Sequence, residues 1–185
     1  MASGVKKRGK LDLGILASAV ASVSAATFTG DAAAAAAPVR LTRQTSDCAH
    51  LRAVVVNAGN ANACAGKQGL ADAARMRLLT ANHLSLPVEQ VAVSSTGLIG
   101  EHLPMAQIEP GIGVAAQALS AGASGDFAVA IRTTDRHAKS GALDVQLAEG
   151  VVRVGLAAKG CGMISPNMAT MLCLVTCDAV VTAEA

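Results

Sequence analysis

Lys159 and Thr170 frame the stretch whose residue types and spacing could do chemistry: Ala158-Lys159-Gly160-Cys161-Gly162-Met163-Ile164-Ser165-Pro166-Asn167-Met168-Ala169-Thr170-Met171-Leu172. A glycine-punctuated loop carrying one lysine leads into a threonine, and the apolar run Met171 to Cys177 that follows reads as a buried strand. A hydroxyl at the mouth of such a strand, behind Gly, Ser-Pro and Asn, is held where a strained turn can present it to a pocket, which is a nucleophile's position. On spacing alone a plainer reading stands beside this one: the loop turns the chain, and Thr170 opens a strand through ordinary β-propensity. A second place of interest is Ser94-Ser95-Thr96-Gly97-Leu98-Ile99-Gly100. Thr96 offers a hydroxyl and Gly97 an unhindered backbone N–H. Two adjacent donors could receive a developing oxyanion if a reacting carbonyl lay about 3 Å away; otherwise they mark a strand-to-loop junction.

The elements that must position these residues follow from pattern. Gly4 to Gly30 reads as two short strands around a loop near Ala17 to Val23, with Leu11, Leu13 and Ile15 alternating as one face of a strand. The alanine run Ala32 to Ala37 is helix-prone and is closed by Pro38. Arg52 to Val56 is a strand leading into Asn57-Ala58-Gly59-Asn60-Ala61-Asn62-Ala63-Cys64-Ala65-Gly66, whose Asn and Gly residues suit tight loops and scaffold rather than catalysis. Leu70, Ala74, Leu78 and Ala81 recur at helical spacing and predict a helix ending before Pro87. Val91 to Val93 starts the strand that runs into Thr96 and Gly97. Ile108, Ile112, Ala115 and Leu119 mark a second helix, Gly122 to Asp126 a loop, and Phe127 to Arg132 a short helix ending at Thr133-Thr134-Asp135. A hairpin of Leu143 to Leu147 and Val151 to Leu156, turning at Glu149-Gly150, delivers the chain to Lys159. The alternation of strands and helices predicts an α/β fold.

Composition narrows the function classes. With 52% hydrophobic and 15% charged residues and a net charge of +2, the 185-residue chain suits one folded domain or part of one, and carries neither a disorder signature nor a nucleic-acid footprint. The absence of Trp and Tyr removes stacking platforms for single-stranded nucleic acid. Cys48, Cys64, Cys161, Cys173 and Cys177 are odd in number and scattered, which fits a reducing compartment, and with His50, His83, His102 and His137 dispersed no metal site is expected. Lys6, Lys7, Arg8 and Lys10 ahead of the apolar stretch Leu11 to Phe28, with Ala17-Ser18-Ala19, imitate a secretory signal; Asp12 and the hydroxyl residues inside the stretch argue against one. No apolar run is long enough to span a bilayer, so a cytoplasmic, membrane-free protein is expected.

Three motifs then carry a resemblance. The Lys159-Gly160-x-Gly162-Met163-Ile164-x-Pro166-Asn167-Met168-Ala169-Thr170-Met171-Leu172 string resembles the processing site of the ornithine acetyltransferase / glutamate N-acetyltransferase (ArgJ) family of arginine biosynthesis. Ser95-Thr96-Gly97-x-Ile99-Gly100 and Asn57-x-Gly59-Asn60-Ala61-Asn62-Ala63-Cys64 resemble two further family segments in the same order. The opening Gly4-Val5-Lys6, with Asp12-Leu13 after it, also resembles the family's start as part of the folded protein, while the alanine run departs from the more polar segment of relatives.

The resemblance implies a layered α/β sandwich of the ArgJ/DmpA type, with helices packed outside two β-sheets. It implies self-cleavage between Ala169 and Thr170, Thr170 as nucleophile, and Thr96 and Gly97 as the oxyanion hole. It further implies substrate binding by Thr170, by Lys159, which would pair with a carboxylate, and by Thr134, with Thr133 a close second. The implied reaction moves the acetyl group of N-acetyl-L-ornithine to L-glutamate through an acetyl-threonine; some family members also accept acetyl-CoA. No cofactor is implied. Only fifteen residues follow Thr170, whereas the family continues into a β chain of comparable size, so residues 1–169 correspond to the α-chain portion and 170–185 to the start of a truncated β chain, incomplete at the C-terminus. An α2β2 heterotetramer with that β chain is the implied assembly. Two other readings stay open: an inactive truncated fragment, and an aminopeptidase or amidohydrolase in the manner of the DmpA-like enzymes.

Overall fold

The computed structural model of the chain describes residues 1–7, 9–28, 35–160 and 170–179. Its elements form two three-stranded sheets. The first contains β1 (Leu13–Ala17), β2 (Ala53–Asn60) and β3 (Val91–Leu98), in the order β1-β2-β3. β1 runs antiparallel to β2, and β2 runs parallel to β3 across α2 (Gly66–Leu84), a connection that a parallel pair requires. The second sheet contains β4 (Lys139–Gln146), β5 (Val151–Lys159) and β6 (Leu172–Cys177), all antiparallel neighbours.

Alternation along the first sheet builds two cores. Leu13, Ile15, Val55 and Val93 turn to one face and meet Met76 of α2 and Ile108, Ile112 and Ala115 of α3 (Met105–Gln117). Leu13, Met76, Ile108, Ile112 and Val55 are wholly buried, which is worth about 1.5–3 kcal/mol for each such side chain. Leu16, Val54 and Val56 turn to the opposite face, where Phe127 of α4 (Ser124–Ala130), Ile131, and Ala157, Leu172 and Leu174 of the second sheet close on them. At Gly14 a Cβ would lie 2.7 Å from the Phe127 ring, so α4 packs on β1 only because that position lacks a side chain. The layered α/β arrangement is therefore present, with α2 and α3 outside the first sheet and α4 on the face that turns to the second.

Several local expectations are corrected. Pro38 does not end a helix: α1 runs Ala37–Thr45 with proline in its first turn, where the missing N–H would have no intrahelical partner in any case. Ala32 to Ala34 lie outside the described residues. α1 has a clear task. Thr42 Oγ1 accepts the Val93 N–H (3.1 Å) and donates to the Val93 carbonyl (3.3 Å), and Ser46 Oγ donates to the Val91 carbonyl (3.2 Å), satisfying the open edge of β3. No second strand follows β1 within residues 18–28; that segment is tied by scattered bonds to residues 48–52, among them Ser18 N–H to Arg52 O, Ser22 Oγ to Leu51 O, Ser24 N–H to Ala49 O and Leu51 N–H to Ser24 Oγ. The buried stripe of α2 is Gly69, Ala73, Met76, Thr80 and Ala81, with Leu78 40% exposed, because Gly69 must pass close to Asn62 and Arg77 is drawn in by Thr45 and Ser46. β2 and β3 run further than expected, to Asn60 and Leu98. β6 is not buried: it pairs with β5 on one side, and Val175 is 63% exposed.

Candidate active site

The site forms where β3, β5 and the approach to β6 converge. Lys159, the last residue of β5, is 3% exposed, and its ammonium donates to Thr96 Oγ1 at 2.8 Å and to the Thr170 carbonyl at 3.1 Å. Residues that stand 63 and 11 positions from Lys159 in sequence are thus brought within hydrogen-bond reach of one amine. The antiparallel register places Lys159 opposite Leu172, which sets the lysine beside the residues that enter β6.

Thr96 is 1% exposed. Because its oxygen accepts from Lys159, its own hydroxyl proton is left to be donated elsewhere, and an ammonium on the oxygen strengthens that donation. Gly97 follows at φ +136°, and a Cβ there would lie 2.2 Å from the Gly59 carbonyl carbon and 2.5 Å from the Asn60 nitrogen. Only glycine permits this close approach of β3 to its parallel neighbour β2, where Gly97 pairs with Gly59 and the register shifts between Gly59 and Asn60.

The asparagine segment, at the end of β2 and just beyond it, is tied in around this close approach. Ser95 Oγ donates to Asn57 Oδ1 (2.5 Å), Asn57 Nδ2 to the Asn60 carbonyl (2.9 Å), Asn60 Nδ2 to the His102 carbonyl (3.0 Å), and Asn62 Nδ2 to the Gly69 carbonyl (2.8 Å). All three amide nitrogens donate to backbone carbonyls, while Asn57 Oδ1 takes the Ser95 hydroxyl and Asn62 Oδ1 is buried without a hydrogen-bond partner. Asn62 and Cys64 adopt left-handed backbone angles, φ 48° and 59°.

The opening segment supplies a further cation. Asp12, wholly buried, accepts the N–H groups of Ser3 (2.5 Å), Gly4 (3.0 Å) and Lys6 (2.9 Å), folding the chain start over Gly59. Lys6 Nζ donates to the carbonyls of Leu11 (2.7 Å) and Ala130 (2.8 Å). Burial, opposed by the charge of Asp12 and reinforced by Arg132, Lys10 and Lys159, pushes the Lys6 ammonium down to about 8. Sequence reasoning placed Lys6 and Asp12 in the folded opening segment but gave neither a role beside the site.

Thr133 and Thr134 lie on the turn between α4 and β4, the first half-buried and the second exposed, and their neighbour Asp135 joins this turn to the end of β5 by accepting the Gly160 N–H at 3.1 Å. Ala169, and residues 161–168 before it, lie outside the described residues. Among the described residues no three His, Cys, Asp or Glu side chains gather to hold a metal ion, and no helix is long and apolar enough to cross a membrane.

Comparison with known proteins places this geometry. The chain is 48% identical over 177 residues to the arginine biosynthesis bifunctional protein ArgJ of Symbiobacterium thermophilum, covering 96% of this chain and 44% of that protein. It is likewise 48% identical over 177 residues to the protein of that name from Bacillus licheniformis, covering 95% of this chain and 43% of the relative. The chain thus spans under half the length of these curated relatives. Its fold matches the crystal structure of ArgJ from Bacillus halodurans with a TM-score of 0.79 at 39% identity, covering 91% of this chain and 88% of that one. It matches ornithine acetyltransferase of Mycobacterium tuberculosis, crystallised with ornithine, with a TM-score of 0.81 at 36% identity, covering 92% and 89%. Residues 1–185 all match the sequence model of the ArgJ family, and the chain belongs to that family.

Proposed function

We propose that this chain is the nucleophile-generating portion of an acetyltransferase that moves an acetyl group from N-acetyl-L-ornithine to L-glutamate. The observation that carries the reading is the single ammonium of Lys159 held between Thr96 Oγ1 and the Thr170 carbonyl. In the first step Thr170 Oγ attacks the Ala169 carbonyl carbon. The oxyanion is received by the Thr96 hydroxyl and the Gly97 N–H, the C–N bond breaks as its nitrogen takes the proton, and an ester replaces the amide. Water opens the ester, leaving a carboxylate on Ala169 and a free amine on Thr170.

That amine, with a reference pKa of about 7.7–8.0, is close enough to neutrality to take the proton from its own hydroxyl. Thr170 Oγ then attacks the acetyl carbonyl of N-acetylornithine, ornithine leaves with the proton, and the acetyl-threonine passes its acetyl group to the glutamate amine. Lys159 pairs with a substrate carboxylate, and Thr134, or Thr133 beside it, contacts substrate. Acetyl-CoA is a second candidate donor. Residues 1–169 form the α portion and 170–185 begin the β portion, whose remainder supplies the other half of an α2β2 assembly. The free thiols of Cys48, Cys64, Cys173 and Cys177 support a reducing, cytoplasmic setting.

The test is the intact mass of the chain, alone and co-expressed with the C-terminal portion of the Bacillus licheniformis relative, with Thr170→Ala as control. A species ending at Ala169 in the parent and not in Thr170→Ala is expected. An uncut parent in both settings would overturn the proposal. Acetate, in place of N-acetylglutamate, from N-acetylornithine and glutamate would turn it to a hydrolase.

A further inference from the structure

Gly59 of β2 and Gly97 of β3 meet where ordinary strand pairing holds them least. They are paired, but the register shifts immediately after Gly59, so the ladder is disturbed at the point where Gly97 must present its N–H. Both glycines have positive φ, +120° and +136°, and neither has a side chain to wedge it in place. Their placement needs a support outside the ladder.

The opening segment supplies it. A Cβ on Gly59 would lie 2.9 Å from Val5 Cγ1, 3.3 Å from the Val5 carbonyl oxygen and 3.4 Å from Lys6 Cγ. Val5, half-buried, thus fills the room that a side chain on Gly59 would take. Since a Cβ on Gly97 would meet the Gly59 carbonyl carbon at 2.2 Å, Val5, Gly59 and Gly97 form one chain of direct contacts.

Val5 is itself fixed on both flanks. The Asp12 carboxylate takes the Ser3 N–H on Oδ1 (2.5 Å) and the Gly4 and Lys6 N–H groups on Oδ2 (3.0 and 2.9 Å), while the main-chain carbonyl of Asp12 accepts the Ala58 N–H (2.8 Å). One buried residue therefore ties the segment that carries Val5 to the strand position just before Gly59. Ser3 is lodged against α3, where a Cβ on Gly111 would stand 2.8 Å from Ser3 Cβ, and Lys6 Nζ reaches the Ala130 carbonyl at the end of α4 (2.8 Å). Covering the core would ask only for apolar contact, which Val5 also gives; the three converging N–H bonds add a fixed distance to Gly59. We propose that residues 3–6 form a strap, and that Asp12 and Val5 are positioning residues which hold Gly59, and through it the Gly97 N–H, in place for the oxyanion. The inference rests on the oxyanion role given to Gly97 under the proposed function, but half of its test needs no reaction.

The full chain carrying Thr170→Ala, which has no nucleophile to cut with, is labelled with 15N and 13C and its amide cross-peaks are assigned. Asp12→Asn turns an NH2 group toward N–H donors and slackens the strap; Val5→Ala removes the methyl that lies against Gly59 and keeps the carboxylate bonds. In each, the Gly59 and Gly97 cross-peaks shift while those of Val91 and Val93, at the far end of β3, stay. Leu79→Ala, which thins the same core from α2, shifts neither glycine. Val5→Ala decides the matter even if Asp12→Asn does not fold. With Thr170 restored, the first-order rate of self-cleavage falls roughly tenfold in Val5→Ala and Asp12→Asn and is unchanged in Leu79→Ala. Glycine cross-peaks that stay in the variants that fold, or that move equally in Leu79→Ala, would overturn the strap. Cleavage at the parent rate while the glycines shift would overturn its positioning role. Glycine shifts in a chain that never self-cleaves would leave the hold on Gly97 standing and remove the oxyanion reading it serves.

Discussion

Lys6 shows how a single residue can be both anchor and burden. Its ammonium satisfies two carbonyls, of Leu11 and Ala130, and so ties the opening segment to α4. Yet burial and the charges of Arg132, Lys10 and Lys159 outweigh the attraction of Asp12 and push its pKa from 10.5 to about 8. The sign of the linked stability follows. Between pH 8 and 10.5 the unfolded chain still holds the proton and the folded chain has released it, so stability rises with pH through that window. Below pH 8 both states are protonated and the cost of keeping the charge in the fold is fully present. The side chain is about half-exposed, so screening reduces the effect to the order of 1 kcal/mol. In urea titrations the stability of the parent relative to Lys6→Met should therefore climb across this window. Titrations common to both proteins cancel in the difference. A flat or falling difference would show that Lys6 is solvated and that its carbonyl contacts do not bury its charge.

At the scale of elements, the site depends on β3 lying unusually close to its parallel neighbour β2 at one point, and Gly97 is where backbone meets backbone. A methyl at Gly97 would have to move the main chain of Gly59 and Asn60, whereas at Gly100, φ +89°, nothing lies within 4 Å of a new Cβ and only the backbone angle is strained. Gly97→Ala should lower the urea-unfolding free energy by about 3 kcal/mol or more, and Gly100→Ala by about 1–2 kcal/mol. Equal losses would mean that β2 yields at this contact. The same contrast marks what could be read from sequence. Thr96, Gly97, Lys159 and Thr170 could be singled out because their motifs are local strings, but the elements around them were read less well: Lys159, expected on a loop, ends β5, and Thr96 and Gly97, expected in a turn, lie within β3. The convergence of β3 with β5 was not legible, since a 63-residue separation leaves no periodic trace. α1 was missed because Pro38 follows an alanine run, where it reads as a terminator; Thr42 and Ser46, which close the edge of β3, gave no signal of their own. The burial of β6 was overestimated for a related reason: an apolar run reports what a strand could bury, while the partner that covers it lies elsewhere.

Over the whole molecule, the two sheets differ in how they are covered. The first has helices on one face, α4 and the second sheet on the other, and α1 along the edge of β3. In the second sheet, Ala157, Leu172 and Leu174 turn inward. The alternate residues turn outward in cross-strand rows, Leu143 beside Val154 beside Cys177, and Leu156 beside Val175. Leu143 is 65%, Val175 63% and Leu156 43% exposed, and no described element packs on this face. β6 carries no charged residue and no proline to protect its outer edge. An apolar face continuous with an unprotected edge is the signature of an interaction surface, and under the proposed function its occupant is the β portion. The C-terminal portion of the Bacillus licheniformis relative, added in trans, should therefore be captured by the parent chain. Val175→Lys and Leu156→Glu should each weaken capture by about 2 kcal/mol, roughly thirtyfold in dissociation constant, since each side chain would otherwise be buried on binding. Both positions already face solvent, so the melting temperature of the isolated chain should hardly change. Capture undiminished by both substitutions would place the partner on another face and leave the row from Leu143 to Val175 unexplained.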